Sequence, residues 1–225
     1  MSWQEWPRGP EIEPSLYAAD FARLGAQVEE LLDAGVRIFH FDVGDGHFVE
    51  PVTIGPVVLQ ALAPIVHARG GVLDCHLMVT NPDRHIPQIA DAGGDSVTFH
   101  VEVTDDPAPL VREARARGLG VGLSFNPETT VESAVAAAQG VDLVLCMSIH
   151  PGYSGQKFLP DSLDRIRELS TALPDEVLVQ VDGGVTAENA ASVREAGASL
   201  IVAGSAVFAA PDIGEAYRGL AALVA

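Results

Sequence analysis

The chain of 225 residues is 48% hydrophobic and 20% charged, which gives it the apolar content for one buried core and sets it apart from disordered polymers. Its formal net charge of −18 opposes binding to nucleic acid, whose phosphates are met by clustered Lys and Arg. No apolar run reaches the ~18 residues of a membrane span, and the first ten residues lack the basic-then-apolar plan of a signal peptide, so a cytoplasmic protein without membrane contact is expected. A small phosphorylated ligand stays compatible with this charge, because a few backbone N–H groups can hold a phosphate.

In chain order, short apolar runs alternate with helical patterns. The run at 12–16 is followed by Asp20, which can cap a helix whose Phe21, Leu24, Val28, Leu31 and Leu32 share one face. Runs at 36–43, 72–77, 96–100 and 120–124 precede helical stretches at 56–65, 82–92, 107–117 and 129–138. Runs at 143–147, 177–181 and 200–202 precede helices at 160–173, 186–196 and 212–224. This alternation predicts βα units around a parallel sheet, and eight of them fill the chain as one domain, residues 1–225, an α/β single (β/α)8 TIM barrel. An open doubly wound sheet loses its main support, since no Gly-x-Gly-x-x-Gly follows the first strand. Cys75 and Cys146 each precede an inward residue, so both thiols are expected to point outward and be buried under helices.

Barrels of this type build their sites at the C-terminal strand ends. His40 and Asp42 close the second run two residues apart and therefore share a face, His76 ends the third, and Asp182 ends the seventh. A lone strand-end histidine reads equally well as a hydrogen-bonded core residue. Two imidazoles and two carboxylates together suit a divalent metal such as zinc, iron or manganese, with room left for substrate oxygens. Gly183, Gly184, Gly204 and Ser205 follow the last two strands, where such barrels hold phosphate, although the glycine pair alone would read as a tight turn. His100 could stand behind a ligand or simply be satisfied in the core, His47 is given no chemistry, and His67 and His85 are expected to be solvated.

The segments Pro14-Ser15-Leu16, Ala19-Asp20-Phe21, His40-Phe41-Asp42-Val43, Asp45-Gly46-His47-Phe48-Val49, His76-Leu77-Met78 and Met147-Ser148 recur in this order. They continue with Pro151-Gly152, Gly155-Gln156-Lys157-Phe158, Val181-Asp182-Gly183-Gly184 and Ala203-Gly204-Ser205-Ala206. This series resembles that of the ribulose-phosphate 3-epimerases, over residues 11 to 225. The resemblance implies a ribulose-phosphate-binding barrel and an isomerase of the pentose phosphate pathway, converting D-ribulose 5-phosphate to D-xylulose 5-phosphate. It implies one divalent metal ion, no organic cofactor, a small phosphorylated sugar as partner, and a homo-oligomer.

By the same resemblance His40, Asp42, His76 and Asp182 are the metal ligands, and Asp42 and Asp182 are base and acid on opposite faces of C3. Ser15 and His76 would contact substrate, the loop Gly152, Tyr153, Ser154 and Gly155 would close over it, and Met78 and Met147 would line the pocket floor, although core filling explains each methionine nearly as well. The chemistry agrees: inversion beside a ketone removes a proton on one face and returns one on the other through an enediolate, which a Lewis-acidic metal stabilises.

Gly44, Ala18, Glu50, His150, Ser154 and Gln180 stand where the family usually has Met, Ser, Pro, Asn, Gly and Glu. Gly44 is expected to free space in the pocket and His150 to place a titratable group at its rim, which bears on sugar preference. The rivals are a ketohexose-phosphate 3-epimerase of the allulose 6-phosphate type and a catalytically silent sugar-phosphate-binding barrel. A Schiff-base lyase is poorly supported, because Lys157 is the only lysine.

Overall fold

The structure, a computed structural model, describes Trp6, residues 9–153 and residues 155–225. Eight parallel strands form the barrel: β1 (Glu11–Pro14), β2 (Ile38–Gly44), β3 (Val72–Met78), β4 (Ser96–His100), β5 (Gly120–Phe125), β6 (Leu143–Met147), β7 (Leu178–Asp182) and β8 (Leu200–Ala203). Each pairs with its neighbours in sequence, β1 pairs with β8, and a parallel bridge between Ser15 and His40 joins the β1 and β2 edges. The expected (β/α)8 TIM barrel is the observed one.

The helices are α1 (Leu24–Ala34), α2 (Pro56–His67), α3 (Pro82–Ala92), α4 (Ala108–Ala116), α5 (Val131–Ala137), α6 (Ser162–Ala172), α7 (Ala190–Glu195), α8 (Ser205–Phe208) and α9 (Ile213–Val224). Among the described residues, no helix is long and apolar enough to cross a membrane. Pro56 and Pro82 occupy first helical turns, where their missing N–H costs nothing. Gly35, with φ of 104°, ends α1 in the left-handed conformation, its N–H reaching the Leu31 and Leu32 carbonyls.

One expectation fails at α1. The Asp20 carboxylate accepts the Ala22 N–H and makes a local turn, the helix starts at Leu24, and Phe21 is left 52% exposed off the buried face. The short α8 also follows β8 before α9, where the sequence pattern gave one helix.

Strand alternation divides the core in two. On β2, Phe39 and Phe41 face out and pack with Leu59, Leu62 and Val66 of α2 in the layer between sheet and helices. Cys75 and Cys146 lie in that layer as expected, buried, and burial pushes the Cys146 thiol up to about 11. Inside the barrel, Ile38, Val72, Leu143, Leu178 and Leu200 form an apolar floor at the N-terminal end. Above it the wall from β1 to β4 turns polar with Glu13, His40, Asp74, Ser96 and Thr98, all buried. A polar layer of that size inside a barrel needs partners for each group.

Candidate metal centre and catalytic cleft

His40 and Asp42 from β2, His76 from β3 and Asp182 from β7 bring one ligand atom each to within 4.8 Å of one another. Both histidines are fully buried, Asp42 nearly so, and the Asp182 side chain is 17% exposed at the mouth. The four strand-end residues singled out in the sequence are therefore together.

Hydrogen bonding decides which nitrogens face inward. His40 Nδ1 lies 3.1 Å from Asp74 Oδ2 and 3.7 Å from Glu13 Oε2. Gln180 Nε2 donates to Glu13 Oε2 at 2.6 Å and to Asp74 Oδ2 at 2.7 Å, and the Ser96 hydroxyl donates to Asp74 Oδ1. A nitrogen facing two carboxylate oxygens carries the hydrogen. That leaves His40 Nε2 buried with no hydrogen-bond partner, 3.3 Å from Asp42 Oδ1. His76 turns the opposite way, with Nδ1 3.1 Å from Asp42 Oδ1 and 3.9 Å from Asp182 Oδ2. Asp42 Oδ2 accepts the Ser15 hydroxyl at 2.6 Å.

A divalent cation fits this donor set of two ring nitrogens and two carboxylates, with His40 Nε2 an otherwise orphaned lone pair. A proton can take the same place. Burial disfavours a charged His40, but the Asp42 charge beside Nε2 and the Asp74 and Glu13 carboxyls behind Nδ1 hold it protonated well above the usual histidine range. Asp42, in spite of burial, is held far below the carboxylate range by the His40 charge and by hydrogen bonds from both histidines. Asp182 goes the other way: burial first, then the Asp42 charge, push it up to about 7. Two neighbouring carboxyls driven apart in this way suit opposite proton-transfer roles.

Asp42 and Asp182 line a cleft of about 540 Å³, counting the open solvent at its mouth, with Met78 and Met147 at its base and Ser15 beside Asp42. Gly183, Gly184, Gly204 and Ser205 line one side, and Gly152, Tyr153 and Gly155 the rim. Ser154 lies outside the described residues. His76, expected to touch substrate as well as metal, is buried beneath the cleft and does not line it. Tyr17 lines it unanticipated.

Short tethers hold the carboxylates. Thr53 Oγ1 accepts the Gly44 N–H at 2.6 Å and donates to the Asp42 carbonyl at 2.7 Å. Ser148 donates its N–H to the Asp182 carbonyl at 2.8 Å and its hydroxyl to the Gly183 carbonyl at 2.7 Å. Gly183 and Gly184, at φ of 123° and 66°, follow directly, and a Cβ on either would strike Ile149 or Phe158. Close packing against the loop after β6 thus already requires both glycines, whatever they bind.

The chain was compared with known proteins. A family model described as "Ribulose-phosphate 3 epimerase family" matches residues 11–208. The ribulose-phosphate 3-epimerase of Mycobacterium tuberculosis is 40% identical over 215 residues, covering 94% of this chain and 92% of that protein. Those of Bacillus subtilis and Escherichia coli K12 are each 39% identical, over 206 and 204 residues, covering 90% and 89% of this chain and 94% and 90% of theirs. The chain belongs to the ribulose-phosphate 3-epimerase family. It is accordingly an isomerase. Among solved structures, a 3-hexulose-6-phosphate synthase from Salmonella typhimurium superposes with a TM-score of 0.71 at 17% identity, covering 95% of this chain and 98% of that one, and shows the fold alone.

Two departures from the usual epimerase pattern act differently from expectation. Gly44 does not enlarge the pocket: a Cβ there would meet Val49, Pro51 and Thr53 at 2.9–3.0 Å, so the loop after β2 has filled the space. His150 does not line the cleft, and its Nδ1 lies 3.0 Å from Glu128 Oε1 on the surface. His67 is exposed as expected and also bonds Asp95 at 2.9 Å. Sequence reading missed Glu13, Asp74 and Glu102. The first two stand two residues before Ser15 and His76, the same spacing that joined His40 to Asp42, and could have been found that way.

Proposed function

We propose that this epimerase inverts C3 of a ketose phosphate, interconverting D-ribulose 5-phosphate and D-xylulose 5-phosphate in the cytoplasm, with a divalent metal held by His40, Asp42, His76 and Asp182. The observation that carries the reading is the meeting of those four side chains at the base of the cleft, two of them carboxyls that line it. When bound, the metal supplies Lewis acidity toward the ketone and hydroxyl oxygens of the sugar.

Asp42 and Asp182 do the proton transfer. They project from β2 and β7, which are separated around the ring by β1 and β8, so substrate lying between them is approached from two sides. Asp42, held ionised, takes the C3 proton on its face, and Asp182 returns one on the other; the reverse reaction exchanges the roles. Ser15 aims Asp42 by occupying Oδ2, which leaves Oδ1 toward the histidines. The phosphate would lie against Gly183, Gly184, Gly204 and Ser205, and the rim residues Gly152, Tyr153 and Gly155 would shield the site from water.

The Gly44 argument for a larger sugar has lost its basis, and a silent binding protein would not be expected to keep both cleft-facing carboxyls. The support for a cytoplasmic setting is a relative from Oryza sativa named as a cytoplasmic isoform, 40% identical over 214 residues. The test is solvent-proton exchange at C3 in deuterated water with pentulose and hexulose phosphates, alongside metal analysis. Deuterium incorporation and epimerisation with ribulose 5-phosphate, and a metal content near one per chain, are expected. Turnover of the hexulose phosphate alone would reassign the substrate, and exchange with no bound metal would remove the metal from the scheme.

A further inference from the structure

Behind His76 a chain of hydrogen bonds leaves the barrel. His76 Nε2 lies 2.9 Å from His100 Nε2, with the two rings 5.0 Å apart and inclined by 24°. His100 Nδ1 lies 3.1 Å from Glu102 Oε2, in the turn after β4. The other Glu102 oxygen accepts the Asn126 N–H at 2.7 Å and the Thr129 hydroxyl, which ties it to the loop after β5. Phe48 covers His100, ring centroids 4.5 Å apart. None of this touches the cleft.

The direction of these bonds is set from the outer end. An ionised carboxylate only accepts, so the facing His100 Nδ1 carries a hydrogen. In a neutral imidazole the other nitrogen then accepts, so His100 Nε2 takes a hydrogen from His76 Nε2. That choice bares His76 Nδ1, the atom 3.1 Å from Asp42 Oδ1. Asp42 by itself pulls the opposite way, since a carboxylate beside Nδ1 favours a hydrogen there. The relay opposes that pull.

We propose that Glu102 and His100 are positioning residues that hold His76 with its hydrogen on Nε2 and so present a bare Nδ1 to the metal. This rests on the reading of His76 as a ligand. The substitution Glu102→Gln separates it from simple packing, because it keeps the shape but offers one oxygen in place of two. The Asn126 N–H is a fixed backbone donor and claims that oxygen, so the Gln amino group faces His100 Nδ1 and the relay is driven to reverse. A reversed relay places the hydrogen on His76 Nδ1, where a metal cannot bind.

The experiment measures zinc affinity by chelator competition, melting of the metal-free protein, and ¹⁵N histidine spectra of the zinc-loaded protein. For the unsubstituted chain the spectra should show hydrogen on His76 Nε2 and on His100 Nδ1. Glu102→Gln should weaken zinc binding by on the order of 10-fold, as substitutions behind metal-bound histidines do, with the melting temperature nearly unchanged. His100→Phe, which removes the acceptor and keeps the ring, should weaken zinc similarly and serves if Glu102→Gln does not fold. Unchanged zinc affinity in both variants, or a hydrogen on His100 Nε2 in the zinc-loaded chain, would overturn the relay while leaving the metal site standing. Zinc binding indifferent to His76→Ala would overturn the ligand reading itself, and the relay with it.

Discussion

The two histidines of the centre are supported in opposite ways. His40 has carboxylates directly behind it, Asp74 at 3.1 Å and Glu13 at 3.7 Å, in a sealed layer of the barrel. His76 has a neutral imidazole behind it: burial pushes His100 down to about 4. Its carboxylate, Glu102, stands two hydrogen bonds away and is partly exposed; burial alone would raise it, but hydrogen bonds from His100, Thr129 and Asn126 bring it to about 2. A carboxylate that accepts the hydrogen of one ring nitrogen makes the opposite nitrogen the stronger electron-pair donor to a metal. The His40 arm should therefore set how tightly a cation is held, and the His76 arm how the ring is oriented.

The comparison is broken most severely at the shared partner of both rings. Asp42→Asn, and Asp182→Asn across the cleft, should each lower kcat by on the order of 10²-fold or more with excess metal present. Steady-state kinetics on metal-loaded protein decides it, and near-normal epimerisation by either variant would end the two-carboxyl scheme. Exchange of the C3 proton from one epimer alone could survive in one of them, since one face keeps its base.

Next in size are the supports. Asp74→Asn should weaken zinc by as much as ~100-fold, because it removes the charge behind His40, whereas His100→Phe should cost nearer ~10-fold. Chelator competition on the two variants side by side ranks the arms. Equal losses would mean that distance to the carboxylate does not matter here.

The smallest effect concerns Glu13, whose carboxyl burial raises from 4.5 to about 7 in the metal-free protein. The folded chain then holds a proton that the unfolded chain has released between about pH 4.5 and pH 7, so stability falls as pH rises through that window. Glu13→Gln has no proton to lose. Its melting temperature relative to the unsubstituted chain should move upward between pH 5 and pH 8 and then level off, and a constant difference would show that Glu13 does not titrate there.

Most of the centre was legible because strand alternation is rigid: once β2 is a strand, His40 and Asp42 must share the interior. The same rule held for Asp182 and for the outward Cys75 and Cys146. It had less reach where contacts join distant segments. That Gly44 is packed against Val49 and Thr53 depends on the course of the loop after β2, which no periodicity describes. Phe21 fits the helical spacing of α1 yet lies before its first turn, because Asp20 satisfies a backbone donor locally. Glu102 was invisible for another reason: its partners come from β4 and from the loop after β5, and only the folded barrel brings them together.

Gln180 joins Glu13 to Asp74 by donating one amide nitrogen to both, at 2.6 and 2.7 Å. Two positions 167 residues apart in the chain are thereby joined by one buried contact. A glutamate at 180 would here set three buried carboxyls against one another and remove the amide that donates to the other two, so the two positions depend on each other. Gln180→Glu should be tolerated better together with Glu13→Gln than alone, a reciprocal epistasis that the melting temperatures of the two single variants and the double variant would reveal.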